Sequence, residues 1–174
     1  MGLGGREHAW LRGAQAGDVS NLEALFRHHW PLAYRAAYLV VHDSAAAEDI
    51  AQEAFLAAVR NLDRFDRWRP FAPWLHRIVV NRAIDWSRAR ALRAEAGDDA
   101  LAHAPAPDEP RLPERTLDAI RSLSPEHRAV IVLRYLLEYT PGEIGGLLGL
   151  PRGTVNSRLR RALDALGEQL EEDE

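Results

Sequence analysis

A chain of 174 residues, 47% hydrophobic and 28% charged, has the balance of a folded globular protein, with room for one medium domain or two small ones. It contains no cysteine, which excludes a disulfide framework, a thiolate nucleophile and a Cys-based zinc site. No apolar run approaches the ~18 residues needed to span a bilayer, the first residues carry charges and glycine instead of an apolar leader, and the expected location is therefore cytoplasmic, without membrane insertion.

The net charge of −4 argues on its face against a nucleic-acid partner, but the distribution reverses that impression. Every basic side chain is Arg. Nine of them fall between Arg60 and Arg93 against Asp63, Asp66 and Asp85, and Arg152 to Arg161 holds four with no acid. The acids gather in the middle, from Glu95 to Glu114, and at the end, from Glu168 to Glu174.

In chain order, Leu22, Leu25, Phe26, Tyr34, Ala37, Tyr38 and Val41 recur at helical spacing, with Pro31 marking a break or kink. Asp43 and Ser44 suit the cap of a helix running to about Leu62, with Ile50, Ala51, Ala54, Phe55, Ala58 and Leu62 as its apolar face. Asp49, Gln52 and Glu53 fall on the opposite face, whose plain reading is a solvated helix surface. A loop rich in Arg and aromatics follows, Asp66-Arg67-Trp68-Arg69-Pro70-Phe71, and then a helix from Trp74 to about Arg93. On that helix Leu75, Val79 and Trp86 form one side, while Arg77, Asn81, Ile84 and Arg88 form a stripe opposite. Trp68 and Phe71 interleaved with Arg67 and Arg69 have the composition that stacks unpaired bases; ordinary burial is the main competing reading, which suits Trp74 and Trp86 better and is open for Trp68 as well.

Residues 94–110 hold Gly97, Pro105, Pro107 and Pro110 among acids and alanines, with no apolar periodicity, and read as a flexible acidic linker between domains at 18–93 and 111–170. The second domain opens with a helix near Leu112 to Ser122. Ser124 caps the next, with Pro125 in its first position, through Leu136. Thr140-Pro141-Gly142-Glu143 is a capping box with Ile144, Leu147 and Leu148 behind it, and Gly149 ends that helix in a left-handed conformation. The last helix carries Val155, Leu159, Ala162, Leu163 and Leu166 on one stripe. A short capped helix, a glycine turn and a second helix with a basic outer face make a helix-turn-helix. Gly153, Ser157, Arg160 and Arg161 face away from the stripe, with Asn156 on its edge. Arg suits the acceptors of guanine and Asn those of adenine; a solvated Arg-rich face of a small bundle is the alternative. No β pattern is present, so the expected fold is all-α.

Ala47-Glu48-Asp49-Ile50-Ala51-Gln52-Glu53-Ala54-Phe55, Arg64-Phe65, Pro73-Trp74-Leu75, Arg77-Ile78 and Asn81-Arg82-Ala83-Ile84-Asp85, followed by Leu123 to Arg128 and Gly149 to Arg158, resemble the extracytoplasmic-function (group IV) sigma factors of the sigma-70 family. The similarity covers nearly the whole chain after Asp18. It implies a non-enzymatic, dissociable subunit of bacterial RNA polymerase that needs no cofactor or metal, directs the core enzyme to promoter DNA and is held inactive by an anti-sigma factor. Carried over by residue, it assigns Asp49, Gln52 and Glu53 to the polymerase clamp helices. Asp66, Arg67, Trp68, Arg69 and Phe71 would capture a base flipped from the melted −10 element, with Arg77, Asn81, Ile84 and Arg88 beside them. Arg152, Gly153, Asn156, Ser157, Arg160 and Arg161 would read the −35 element, and the acidic linker would thread the polymerase's RNA path. Two departures stand out: Asn156 where the family often has Lys or Arg, and Gly145-Gly146 in place of a helix-favouring pair, at about 1 kcal/mol each relative to Ala.

Two other readings compete. A helix-turn-helix regulator that binds duplex DNA unaided would need a sensing or dimerising first domain, whereas arginines and aromatics cluster there instead. A helical metal site from His28, His29, His42, Glu48 and Glu53 lacks the Glu-x-x-His spacing of carboxylate bundles.

Overall fold

The computed structural model describes residues 3–95 and 112–172, so most of the expected linker, 96–110, lies outside the described residues. Every regular element among them is helical. The order is α1 (Leu3–Gln15), α2 (Val19–Val41), α3 (Ser44–Arg60), α4 (Phe71–Glu95), α5 (Glu114–Ser122), α6 (Pro125–Ile131), α7 (Pro141–Leu148) and α8 (Arg152–Glu172), with a 3₁₀ turn at Leu62–Arg64 and a π turn at Val132–Leu136.

Local chemistry fixes most boundaries. The Asp18 carboxylate caps α2 by accepting from the Ser20 and Asn21 amides, and Asp43 caps α3 through the Ala46 amide at 2.9 Å. Pro31 does not break α2, which is one helix of 23 residues. Arg27 and Pro31 both lie on its exposed side, where water can satisfy the carbonyl that proline leaves without a donor. The capping box forms in full: Thr140 N–H donates to Glu143 Oε2 at 2.8 Å, and Glu143 N–H donates to Thr140 Oγ1 at 3.4 Å. Gly149 ends α7 at φ 67°. Gly145 is no defect in that helix. A Cβ there would meet the Leu150 carbonyl oxygen at 2.6 Å, so the closeness of the turn requires glycine, whereas Gly146 faces open space.

Helices α1 to α4 enclose a core that includes Leu11, Leu25, Val40, Phe55, Leu75 and Val79, and α5 to α8 close on Val130, Leu133, Ile144 and Val155. The expected apolar face of α3 is buried throughout. On α8, Val155, Leu159 and Ala162 are buried, but Leu163 is exposed, because it lies past the edge of the stripe. The two halves also pack on each other: α4 lies against α6 and α7 as well as α2 and α3, and α2 reaches α5, α6 and the π turn. Helix α1, not anticipated from the sequence, packs on α2.

Candidate nucleic-acid and polymerase interfaces

Asp49, Gln52 and Glu53 are all exposed on α3, with Leu56 exposed one turn on. The Gln52 amide donates to Glu48, and Glu53 pairs with Arg82 of α4. The sequence face is therefore a real surface, tied to α4 at one point.

The loop between Arg64 and Phe71 is held by a turn in which Arg69 N–H donates to the Asp66 carbonyl at 2.9 Å, while the Asp66 carboxylate accepts from Trp68 N–H at 3.1 Å. Arg67, Trp68 and Arg69 project outward, and Trp68 is 78% exposed. That exposure decides between core and surface for Trp68. Phe71 goes the other way. It is 3% exposed and packs against His29, Phe65 and Trp74, because α4 begins at Phe71, three residues before the expected start, which turns its ring inward. As placed here it cannot stack on a base. Trp74 and Trp86 are half-buried against the core.

The expected outer stripe of α4 divides as well. Arg77 is exposed and lines an open cleft of about 590 Å³ with Arg64, Phe65, Asp66, Arg69, Trp74 and, from α7, Gly146 and Leu147. The Asn81 amide donates to the Leu147 carbonyl at 3.2 Å and to the Arg77 carbonyl at 2.7 Å. Arg88 pairs with Glu126 of α6 at 2.6 Å. Burial raises the Glu126 pKa, but the hydrogen bond and charge of Arg88 more than offset it and leave the carboxyl below its ordinary value. Ile84 lies between Asn81 and Arg88 and is only 6% exposed. It was expected on the outer stripe, and the reason for the difference is that α6 and α7 cover this side of α4. Deeper in the same contact, His76 Nδ1 lies 2.8 Å from the Tyr139 hydroxyl, and burial, assisted by the charge of His29, pushes the His76 pKa down to about 4.

On α8, Arg152, Gly153, Asn156, Arg160 and Arg161 are exposed and Ser157 is half-buried, so the outer face is presented as expected, with Arg158 half-buried beside it. Among the described residues His, Asp and Glu form no group of three able to hold a metal, and no helix is long and apolar enough to cross a membrane.

Sequence reasoning missed His8 and Gln15 of α1, which touch the loop before α4, and Glu7, which pairs with His29 of α2. Trp10, Leu11 and Ala14 at helical spacing were the available signal, weakened by Gly4, Gly5 and Gly13.

The comparisons with known proteins map onto this geometry. Residues 25–93 match the model of sigma-70 region 2, and residues 119–168 match that of sigma-70 region 4. The ECF RNA polymerase sigma factor SigW of Bacillus subtilis is 38% identical over 153 residues, covering 79% of this chain and 82% of its own. Among solved structures, CnrH in complex with the cytosolic domain of CnrY superposes with a TM-score of 0.73 at 28% identity, over 97% of this chain and 99% of the other. The sigma factor RpoE of Bartonella quintana, solved with the anti-sigma factor NepR, has the same fold, with a TM-score of 0.72 at 22% identity over 87% of this chain and 98% of that one.

Proposed function

The chain belongs to the extracytoplasmic-function sigma factors of the sigma-70 family, and from that premise we propose which of its residues dock polymerase and which read DNA. As a sigma factor it is a subunit of RNA polymerase in transcription initiation and not an enzyme. The observation that carries the assignment is that the two Arg-rich blocks form two separate exposed surfaces on different halves of the molecule.

One surface is the loop Asp66 to Arg69 with Arg77 and Asn81. Arginines there approach phosphate, and exposed Trp68 offers a stacking face to an unpaired base of the −10 element. Flipping a base costs a few kcal/mol of unstacking, which a preformed platform offsets. The other surface is the outer face of α8, where Arg152, Gly153, Asn156, Ser157, Arg160 and Arg161 would read the −35 element in the major groove. Asp49, Gln52 and Glu53, with Leu56, form the polymerase-docking face. We assign residues 18–93 and 111–170 to the two domains, and 94–110, by its acidic and proline-rich composition, to the tether between them.

In the arrangement described, α7 engages Asn81, α6 pairs with the still exposed Arg88, and Ile84 between them is buried. Use of α4 on DNA therefore requires the two halves to separate. An anti-sigma factor, the kind of partner with which RpoE was solved, would act by favouring the covered form.

Alanine at Arg160 and Arg161 is expected to weaken the closed promoter complex, since a good bidentate base contact contributes ~1–3 kcal/mol of discrimination. Alanine at Asn81 and Trp68 is expected to slow melting without weakening initial binding. Transcription and permanganate footprinting on linear and pre-melted templates separate the two. A pre-opened −10 bubble that rescued the Arg160 and Arg161 variants as fully as the Asn81 and Trp68 variants would defeat this division.

A further inference from the structure

Helix α1 lies before the residues matched by the region 2 model, yet it touches the loop that precedes α4 at four points. Gln15 Nε2 uses both of its hydrogens, donating to the Leu62 carbonyl at 2.9 Å and the Phe65 carbonyl at 2.8 Å. His8 Nδ1 lies 3.1 Å from the Arg67 carbonyl, and the His8 ring packs on Trp68 with centroids 4.6 Å apart and planes inclined by 32°. Glu7 of the same helix pairs with His29 of α2 at 3.0 Å.

These contacts are of the kind that fix a backbone. The carbonyls at 65 and 67 would otherwise bond water, and the Leu62 carbonyl, already accepting the Phe65 N–H at 3.0 Å, would lose its second donor, which leaves the segment more conformations to choose from. Held as they are, they give the segment one shape, and Trp68 stays exposed while one edge of its environment is set by a ring behind it. A platform already in place when a base leaves the stack loses less conformational freedom on capture than one ordered at that moment.

We propose that α1 is a positioning element for the segment Leu62 to Phe71, setting its shape before DNA arrives and holding Trp68, through His8, in the orientation that receives an unpaired base. The second half of this inference rests on the base-capture reading above; the first half does not.

The test uses the full chain with core polymerase, carrying His8→Ala or Gln15→Leu, each alone and combined with Trp68→Ala. Amide hydrogen exchange in the free chain is expected to rise about tenfold for residues 62–70 in either variant, with α2 and α3 unchanged. The opening rate of a duplex promoter carrying 2-aminopurine in the −10 element is expected to fall several-fold, with the affinities for core and for closed duplex intact. In the Trp68→Ala background, His8→Ala should add less than twofold. His8 is only half-buried, so its variant keeps the measurement meaningful if Gln15→Leu unfolds. Loop amides that exchange no faster overturn the proposal whatever transcription shows. Loosened amides with unchanged opening, or a His8→Ala effect undiminished without Trp68, overturn the role assigned to Trp68. If Trp68→Ala itself leaves opening unchanged, the base-capture reading has failed and takes that role with it, while the exchange result still decides whether α1 shapes the loop.

Discussion

The side-chain amide of Asn81 on α4 donates a 3.2 Å hydrogen bond to the backbone carbonyl of Leu147 on α7, so a residue assigned to the melted −10 element is engaged by the half of the protein that carries the −35 reader. Arg88, two turns along α4, is likewise paired to Glu126 of α6, so in this arrangement two members of the assigned −10 stripe are engaged within the protein.

Joining the halves should therefore silence the protein reversibly. In an Arg88→Cys/Glu126→Cys chain, which has no other thiols, a short bis-methanethiosulfonate linker is expected to abolish promoter opening by the holoenzyme, and reductant to restore it to the level of the unlinked variant. Full opening by the linked protein would show that α4 works without leaving α6.

Replacing Gln52 and Glu53 by Ala should lower affinity for core polymerase by about tenfold, on the order of 1.4 kcal/mol. Both side chains are exposed, and the surface pair of Glu53 with Arg82 contributes only ~0–1 kcal/mol, so the melting temperature should hardly move. Fluorescence anisotropy against core and a thermal melt check the two halves of this expectation.

The adjacent glycines of α7 should respond in opposite directions. Gly145→Ala drives a Cβ against the Leu150 carbonyl and should cost about 1–3 kcal/mol, whereas Gly146→Ala meets nothing and should gain up to about 1 kcal/mol from helix propensity. Thermal denaturation would register the second as a rise of roughly 2–4 °C.

Acid should loosen the contact between the halves through His76. Its folded pKa, about 4, is depressed from 6.5, so the neutral form is the one the fold prefers. The associated stability is present above 6.5 and is lost as pH falls toward 4, for a total on the order of 3 kcal/mol. Urea melts at several pH values should show a shallower loss across that window in His76→Phe. A parallel pH dependence in the two proteins would mean that His76 is not the group responsible.

What could be read from the chain alone was local. Thr140, Pro141, Glu143 and Gly149 announce their helix because each acts within a few residues of itself, and the exposed face of α8 follows from the spacing of Val155 and Leu159. Ile84 could not be placed, because its cover comes from α6 and α7, some forty to sixty residues on. Phe71 was misplaced by a three-residue error in a helix start, enough to turn a side chain from solvent to core. The loop's supports in α1 lie 47 to 59 residues upstream, beyond the reach of any periodicity.

The cover that α6 and α7 place on α4 also sets a number that no contact with polymerase or promoter determines. Any partner that needs the separated form binds with its intrinsic affinity multiplied by the fraction of molecules that are separated. Each tenfold by which the covered form outweighs the separated one weakens every such partner tenfold, about 1.4 kcal/mol, whatever its sequence. Loosening Arg88 from Glu126 from the Glu126 side should thus tighten apparent binding to all promoters together, and leave the ranking of promoters where it was.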